Sequence, residues 1–107
     1  MEQLSIIHKM KHILGLSQTD LEIIHILSQK EHLLVTEIAE KIKRSRRHVC
    51  QRLSALIDKG ILDRELHVLH NKRVAYRYSL KSSDHIARHV RVHLLNTIAE
   101  LDMMTAQ

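Results

Sequence analysis

Between Ser45 and Gly60 the chain reads SRRHVCQRLSALIDKG, and these side chains suit the recognition of anions and base edges. Arg47 carries a planar fork that matches two adjacent acceptors, as on a guanine edge, and the Gln51 amide offers the donor and acceptor that an adenine edge demands. His48 and Ser54 are further polar groups on the same outward side. Lys43, Arg44, Ser45, Arg46 and Arg52 lie on or just before the first turns, and no acid occurs from Lys41 to Arg52. Cations at a helix N-terminus oppose its dipole at a cost of a few tenths of a kcal/mol each, roughly, unless an anion is brought to them. Phosphate is the anion that this crowding fits.

The stretch is a helix bounded at both ends. Ser45 is an N-cap residue and Gly60 stands where a left-handed residue would end the helix. At about 100° per residue, Val49, Leu53, Leu56 and Ile57 share one side with Cys50 at its margin, and Arg47, His48, Gln51, Ser54 and Ala55 fall opposite. One side is core and the other is free to bind.

Other elements must hold this helix in place. Residues from Glu2 to Leu14 carry Leu4, Ile7, Met10 or Lys11, and Leu14 at helical spacing, with a stop at Gly15. Ser17 and Asp20 resemble a capping box that opens a helix to about Gln29, its core side Leu21, Ile24 and Leu27 or Ser28. Leu33, Leu34 and Val35 form a short extended stretch. Thr36 then caps a helix from Glu37 to Lys43 that buries Ile38, Ala39 and Ile42. Two helices joined by about three residues, the second capped and basic, make a helix-turn-helix.

After Gly60, the segments Ile61 to His70 and Arg73 to Leu80 flank the turn residues Asn71 and Lys72. In the second segment Val74, Tyr76, Tyr78 and Leu80 alternate with polar or small residues, so a hairpin with one buried face is expected. Its tip carries Lys72 and Arg73, with Arg77 further along the strand, and these three are expected to meet phosphate or a minor groove. Either Ser82 or Ser83 caps a last helix to about Met104, in which Ala87, Val90, Leu94, Thr97, Leu101 and Met104 form a heptad seam. That seam, helped by Leu4 and Ile7 of the first helix, is expected to join two copies of the chain. Ile86, Leu95 and Ile98 lie off it and are expected to bind the body of the domain or the first helix.

Composition narrows the partner. The 107 residues suit one domain, and a net charge of +5 favours an acidic partner. With no Phe or Trp and only two Tyr, aromatic platforms for stacked RNA bases are poorly supported, which leaves double-stranded DNA. No apolar run approaches the ~18 residues needed to span a bilayer and no signal-peptide order is present, so a cytoplasmic, nucleoid-associated protein without membrane contact is expected. Cys50 is the only cysteine and reads as a small residue at the edge of the core.

Chemistry beyond binding finds little support. No glycine-rich phosphate loop, nucleophile elbow or Cys-x-x-Cys pair occurs, and with two glycines none can be built, so no enzyme activity, no cofactor and no small-molecule effector are expected. His85, His89 and His93 recur every four residues and are candidate metal ligands, or else a surface row or part of the dimer seam. They do not reproduce the Asp-x-His and distal ligand pattern of ArsR-type sensors, because Ile86 and Thr97 stand at the required places.

The order of elements, with IAEKIKRSRRHVCQRLSALIDKGIL and the later KRVAYRYSL, resembles the winged helix-turn-helix of TrmB- and MarR-type prokaryotic, especially archaeal, transcription regulators. The likeness runs through Ile38, Ala39, Ser45, Val49, Leu53, Leu56, Lys59, Gly60 and Leu62 and covers about Ser17 to Leu80. It implies a mainly α fold with a small β-hairpin, arranged as a 17–80 core between an N-terminal helix (1–15) and a C-terminal dimerisation helix (82–105). It also implies a homodimeric, sequence-specific regulator. A low-specificity architectural DNA binder and a winged-helix protein-interaction module are the alternatives. Where these families have glycine in the turn this chain has Lys43, which either takes a left-handed conformation at about 1 kcal/mol or reshapes the turn. The end at Gln107 leaves no room for the sugar-binding domain of full-length TrmB-type proteins. A compact regulator like the leucine-responsive-regulator type is therefore expected.

Overall fold

The computed structural model describes residues 2–30 and 32–106; Met1, Glu31 and Gln107 lie outside the described residues, so the expected 1–107 span is followed from 2 to 106. The elements are α1 (Glu2–Leu14), α2 (Gln18–Gln29), β1 (Leu33–Leu34), α3 (Val35–Ile42), α4 (Arg46–Asp58), β2 (Leu62–Val68), β3 (Val74–Leu80) and α5 (Ser83–Thr105). The strands form an antiparallel sheet in the order β1-β3-β2. This is the winged helix-turn-helix fold, mainly α with a small sheet.

Local chemistry sets most boundaries. Ser17 Oγ accepts from Asp20 N at 3.1 Å while Asp20 Oδ2 accepts from Ser17 N at 2.9 Å, a reciprocal cap at the start of α2. Ser45 Oγ accepts from His48 N, and Ser82, not Ser83, caps α5 by accepting from His85 N. The expected Thr36 cap is replaced. Helix α3 starts two residues earlier, and Leu34 N donates to Glu37 Oε1 at 2.9 Å.

The turn between α3 and α4 keeps its left-handed shape without glycine: Lys43 has φ 58° and ψ 46°. Gly60 (φ 75°) ends α4, and here only glycine fits twice over, since a Cβ would also come within 2.5 Å of His89 Nδ1.

The core joins all the helices to the base of the sheet through Ile7, Ile23, Ile24, Leu27, Leu33, Ile38, Val49, Leu53, Leu56, Ile61, Leu62 and Ile86. Two expectations fail here for one reason: elements outrun the body. The hairpin buries Tyr78, but Val74 and Tyr76, nearer its tip, are exposed. Along α5, Ile86 and Val90 lie in the body's own core, whereas Leu95 and Ile98, expected to bind it, are exposed. A 23-residue helix is about 34 Å long, and the molecule measures 59 × 26 × 25 Å, so the end of α5 projects past the domain.

Candidate nucleic-acid interface

Helix α4 presents its basic side to solvent because its other side is fixed by burial. Val49, Leu53 and Leu56 are fully buried, which turns Arg46, Arg47, Gln51 and Ser54 outward and leaves all four exposed. Lys43, Arg44 and Ser45 are exposed just before them in the turn. The wing loop between β2 and β3 holds Lys72 and Arg73, both exposed, in a tight turn. There Leu69 N donates to Arg73 O at 2.8 Å and Lys72 N to Leu69 O at 3.0 Å. Asn71 Oδ1 also accepts from Arg73 N at 3.1 Å. The arrangement is a helix and a basic hairpin tip on one domain, with polar and cationic side chains exposed on both.

Three expected contacts are redirected. Arg52 turns inward: its Nε and Nη2 donate to Asp20 Oδ1 and Oδ2, each at 2.7 Å, and the Asp20 side chain is fully buried. This fork-to-fork pair holds α4 against the start of α2, so Arg52 leaves the phosphate set. His48 lies on the same side of α4, with Nε2 3.2 Å from Thr19 Oγ1, and is half-buried rather than aimed outward. Arg77 stands in register with Glu65 and Leu34 on the opposite sheet face from Tyr78, with its Nε buried and unbonded, so it does not extend the wing tip. The helix side that looked uniformly outward is in part the side that packs on α2.

Electrostatics follow this geometry. Burial pushes the Asp20 carboxyl up, but the Arg52 hydrogen bonds, the Ser17 N–H and the Arg52 charge together hold it below the usual carboxylate range. The same pair raises Arg52, chiefly through its hydrogen bonds to Asp20. Arg44 Nη2 lies 3.5 Å from Glu22 Oε1 on a half-exposed surface, where such a pair contributes little and the cation stays free to exchange partners. At the other end of α4, Lys59 Nζ donates to Leu14 O at 2.8 Å, capping the last turn of α1.

The dimer candidates also separate. Ile7 and Val90 are buried within their own chain, Leu4, Ala87 and Leu94 are half-buried, and Thr97, Leu101 and Met104 are exposed. The apolar residues left more than half exposed on the far half of α5 include Leu101 and Met104 of the expected seam, together with Leu95 and Ile98 from outside it. The histidine row is not gathered as a metal site. His85 Nε2 lies 3.2 Å from Lys81 Nζ, His89 covers Gly60, and no group of three or more potential ligands is placed to hold a metal among the described residues. Nor is any helix among them long and apolar enough to cross a membrane.

Residues 16–63, which span α2 to the start of the wing, match the family model described as winged helix-turn-helix DNA-binding. The chain has the winged helix-turn-helix fold. Several solved structures resemble it along most of its length. A possible transcriptional regulator from Methanosarcina mazei is 18% identical with a TM-score of 0.74, over 89% of this chain and 81% of that one. A protein from the thermoacidophilic archaeon Sulfolobus tokodaii is 24% identical with a TM-score of 0.65, over 97% and 98%. The Staphylococcus aureus MepR F27L mutant, solved bound to an oligodeoxyribonucleotide, is 17% identical with a TM-score of 0.56, over 96% and 78%. A sequence comparison with curated proteins finds no match.

Sequence reasoning missed Asp20 as a clamp, although it saw it as a cap, because its partner Arg52 is 32 residues away.

Proposed function

We propose that the protein is a transcription regulator that binds double-stranded DNA as a homodimer, with α4 in the major groove and the wing tip against the backbone or minor groove. The observation that carries this is the exposed side of α4, where Arg46, Arg47, Gln51 and Ser54 stand clear with the basic wing tip beyond them. Arg47 and Gln51 read base edges, with Ser54 beside them, each good bidentate pair discriminating by about 1–3 kcal/mol. Lys43, Arg44, Ser45, Arg46, Lys72 and Arg73 contact phosphate and supply affinity without sequence.

The dimer forms through the projecting half of α5. Leu95, Ile98, Leu101 and Met104 are each more than half exposed, a pattern that water does not favour on an isolated helix. Two copies joined in this way place two α4 helices in successive major grooves, about 34 Å apart. The MepR relative solved with an oligodeoxyribonucleotide supports the DNA assignment.

The test is binding to the protein's own upstream region and to random duplex of equal length, across salt, with particle mass determined alongside. A preference of about 10³ or more for the upstream DNA, by a dimer, is expected. Equal binding to both sequences would contradict a specific regulator acting on its own upstream region, and a monomeric complex would contradict the α5 dimer.

A further inference from the structure

Strand β2 is an open edge of the sheet. The order β1-β3-β2 pairs one of its sides, among the described residues no strand pairs the other, and Asp63 to Val68 are all exposed. It pairs with β3 one residue for one from Leu62↔Leu80 to Val68↔Val74, without a bulge, and it contains no proline. Bulges and prolines are two means by which an edge resists another strand, and a third is charge. On the face that continues from the core, charge does little of this. Arg64 is the one cation there, and its guanidinium carbon lies 4.4 Å from the centroid of the Tyr76 ring, so it leans toward β3 and away from the open side. Around it Leu66, Val68, Val74 and Tyr76 are between 40% and 66% exposed.

We infer that the open edge of β2 pairs antiparallel with β2 of a second copy of the chain, centred on Leu66. The charges select both the partner and the register. In a two-fold pair each face of the sheet continues into the same face of the copy, so residues equally far before and after the centre stand opposite each other. Centred on Leu66, Glu65 faces His67 of the second copy and His67 faces its Glu65, while on the apolar side Leu66 faces its counterpart and Arg64 faces Val68. An imidazole donates to a carboxylate whether or not it is protonated. Glu65 also stands opposite Arg77 in β3, so each acid would lie between two donors.

Neighbouring registers fail. Centring on Arg64 sets Arg64 against itself and Asp63 against Glu65, and centring on Glu65 sets two carboxylates together, which is destabilising. Centring on His67 pairs only Leu66 to Val68 of the strand. A strand that complements itself about one residue fits a second copy better than an unrelated strand. Cross-strand pairs each contribute little, so the contact is weak and acts where copies are concentrated. It uses none of the exposed apolar residues of α5 and therefore adds a second contact between copies, from which tetramers or longer assemblies are built.

The test is sedimentation of the full chain, without DNA, from ~1 µM to ~1 mM. The mass is expected to at least double across this range. His67→Glu sets two pairs of carboxylates opposite one another and should move the doubling to about tenfold higher concentration or more. Glu65→His combined with His67→Glu exchanges the partners and should restore the wild-type midpoint; both positions are exposed, so the fold is kept. In a Cys50→Ser background, oxidation should cross-link Leu66→Cys to its own counterpart and leave Arg64→Cys uncross-linked, because only the central residue meets itself. A doubling unmoved by His67→Glu would assign it to α5 and overturn the pairing, as would a charge exchange that restores nothing or equal cross-linking at both positions. A mass independent of concentration would also overturn it and leave β2 open to a strand of another protein.

Discussion

Asp20 shows how much one side chain can organise. Its carboxylate closes the first turn of α2 and receives two N–H donors of Arg52 from α4, so one buried group ties α2 to α4. Asp20→Asn keeps the shape but removes the charge. It should lower stability near neutral pH by about 2–3 kcal/mol, less than for a fully buried pair because Arg52 retains some contact with water. The folded pKa lies below the unfolded value of about 3.9, so this contribution is complete above that value and is lost as pH falls through the depressed folded pKa. Urea unfolding across acid pH should show the wild type converging on Asp20→Asn, and a gap that stayed constant would contradict the assignment. Lys43 is the opposite case, a strained residue. Lys43→Gly should raise stability by about 1 kcal/mol, or roughly 4 °C in Tm, provided that relief of the left-handed strain outweighs the added freedom of the unfolded chain. A lower Tm would show that the lysine side chain holds the turn.

At the scale of elements, the proposed complex divides the work of binding between α4 and the wing. Gln51→Ala should reduce preference for the specific site with little effect on random duplex, whereas Arg73→Ala should weaken binding to all sequences and reduce the salt slope by about 0.9. Salt titrations on the two duplexes separate these outcomes, and equal loss on both after Gln51→Ala would count against direct readout. Helix boundaries were legible in the sequence because caps are local: Ser17, Ser45 and Gly60 act within four residues of themselves. The direction of each side chain was less legible. His48 and Arg52 lie on a helix flank whose partners in α2 come from 29 and 32 residues earlier in the chain, and periodicity alone does not tell solvent from a neighbouring helix. The wing suffered likewise, since alternation marked Tyr76 and Tyr78 alike while the body reaches only Tyr78.

For the whole molecule, the decisive feature is the projecting half of α5. The heptad was legible, but which apolar residues of α5 stay exposed was not, because how far the body extends along the helix decides that Val90 is covered and Ile98 is exposed. Replacing Ile98 and Leu101 together with Glu should halve the particle mass while leaving the fold intact, since neither residue touches the core. It should also weaken specific DNA binding, because each α4 would then bind alone. Guanine N7 protection on the preferred duplex tests the central claim most directly, since N7 lies in the major groove. The wild-type protein should protect two clusters of major-groove guanines about 10 base pairs apart, and Arg47→Ala should lose protection in both. Protection absent from the major groove, or unchanged in Arg47→Ala, would contradict α4 as the element that reads DNA.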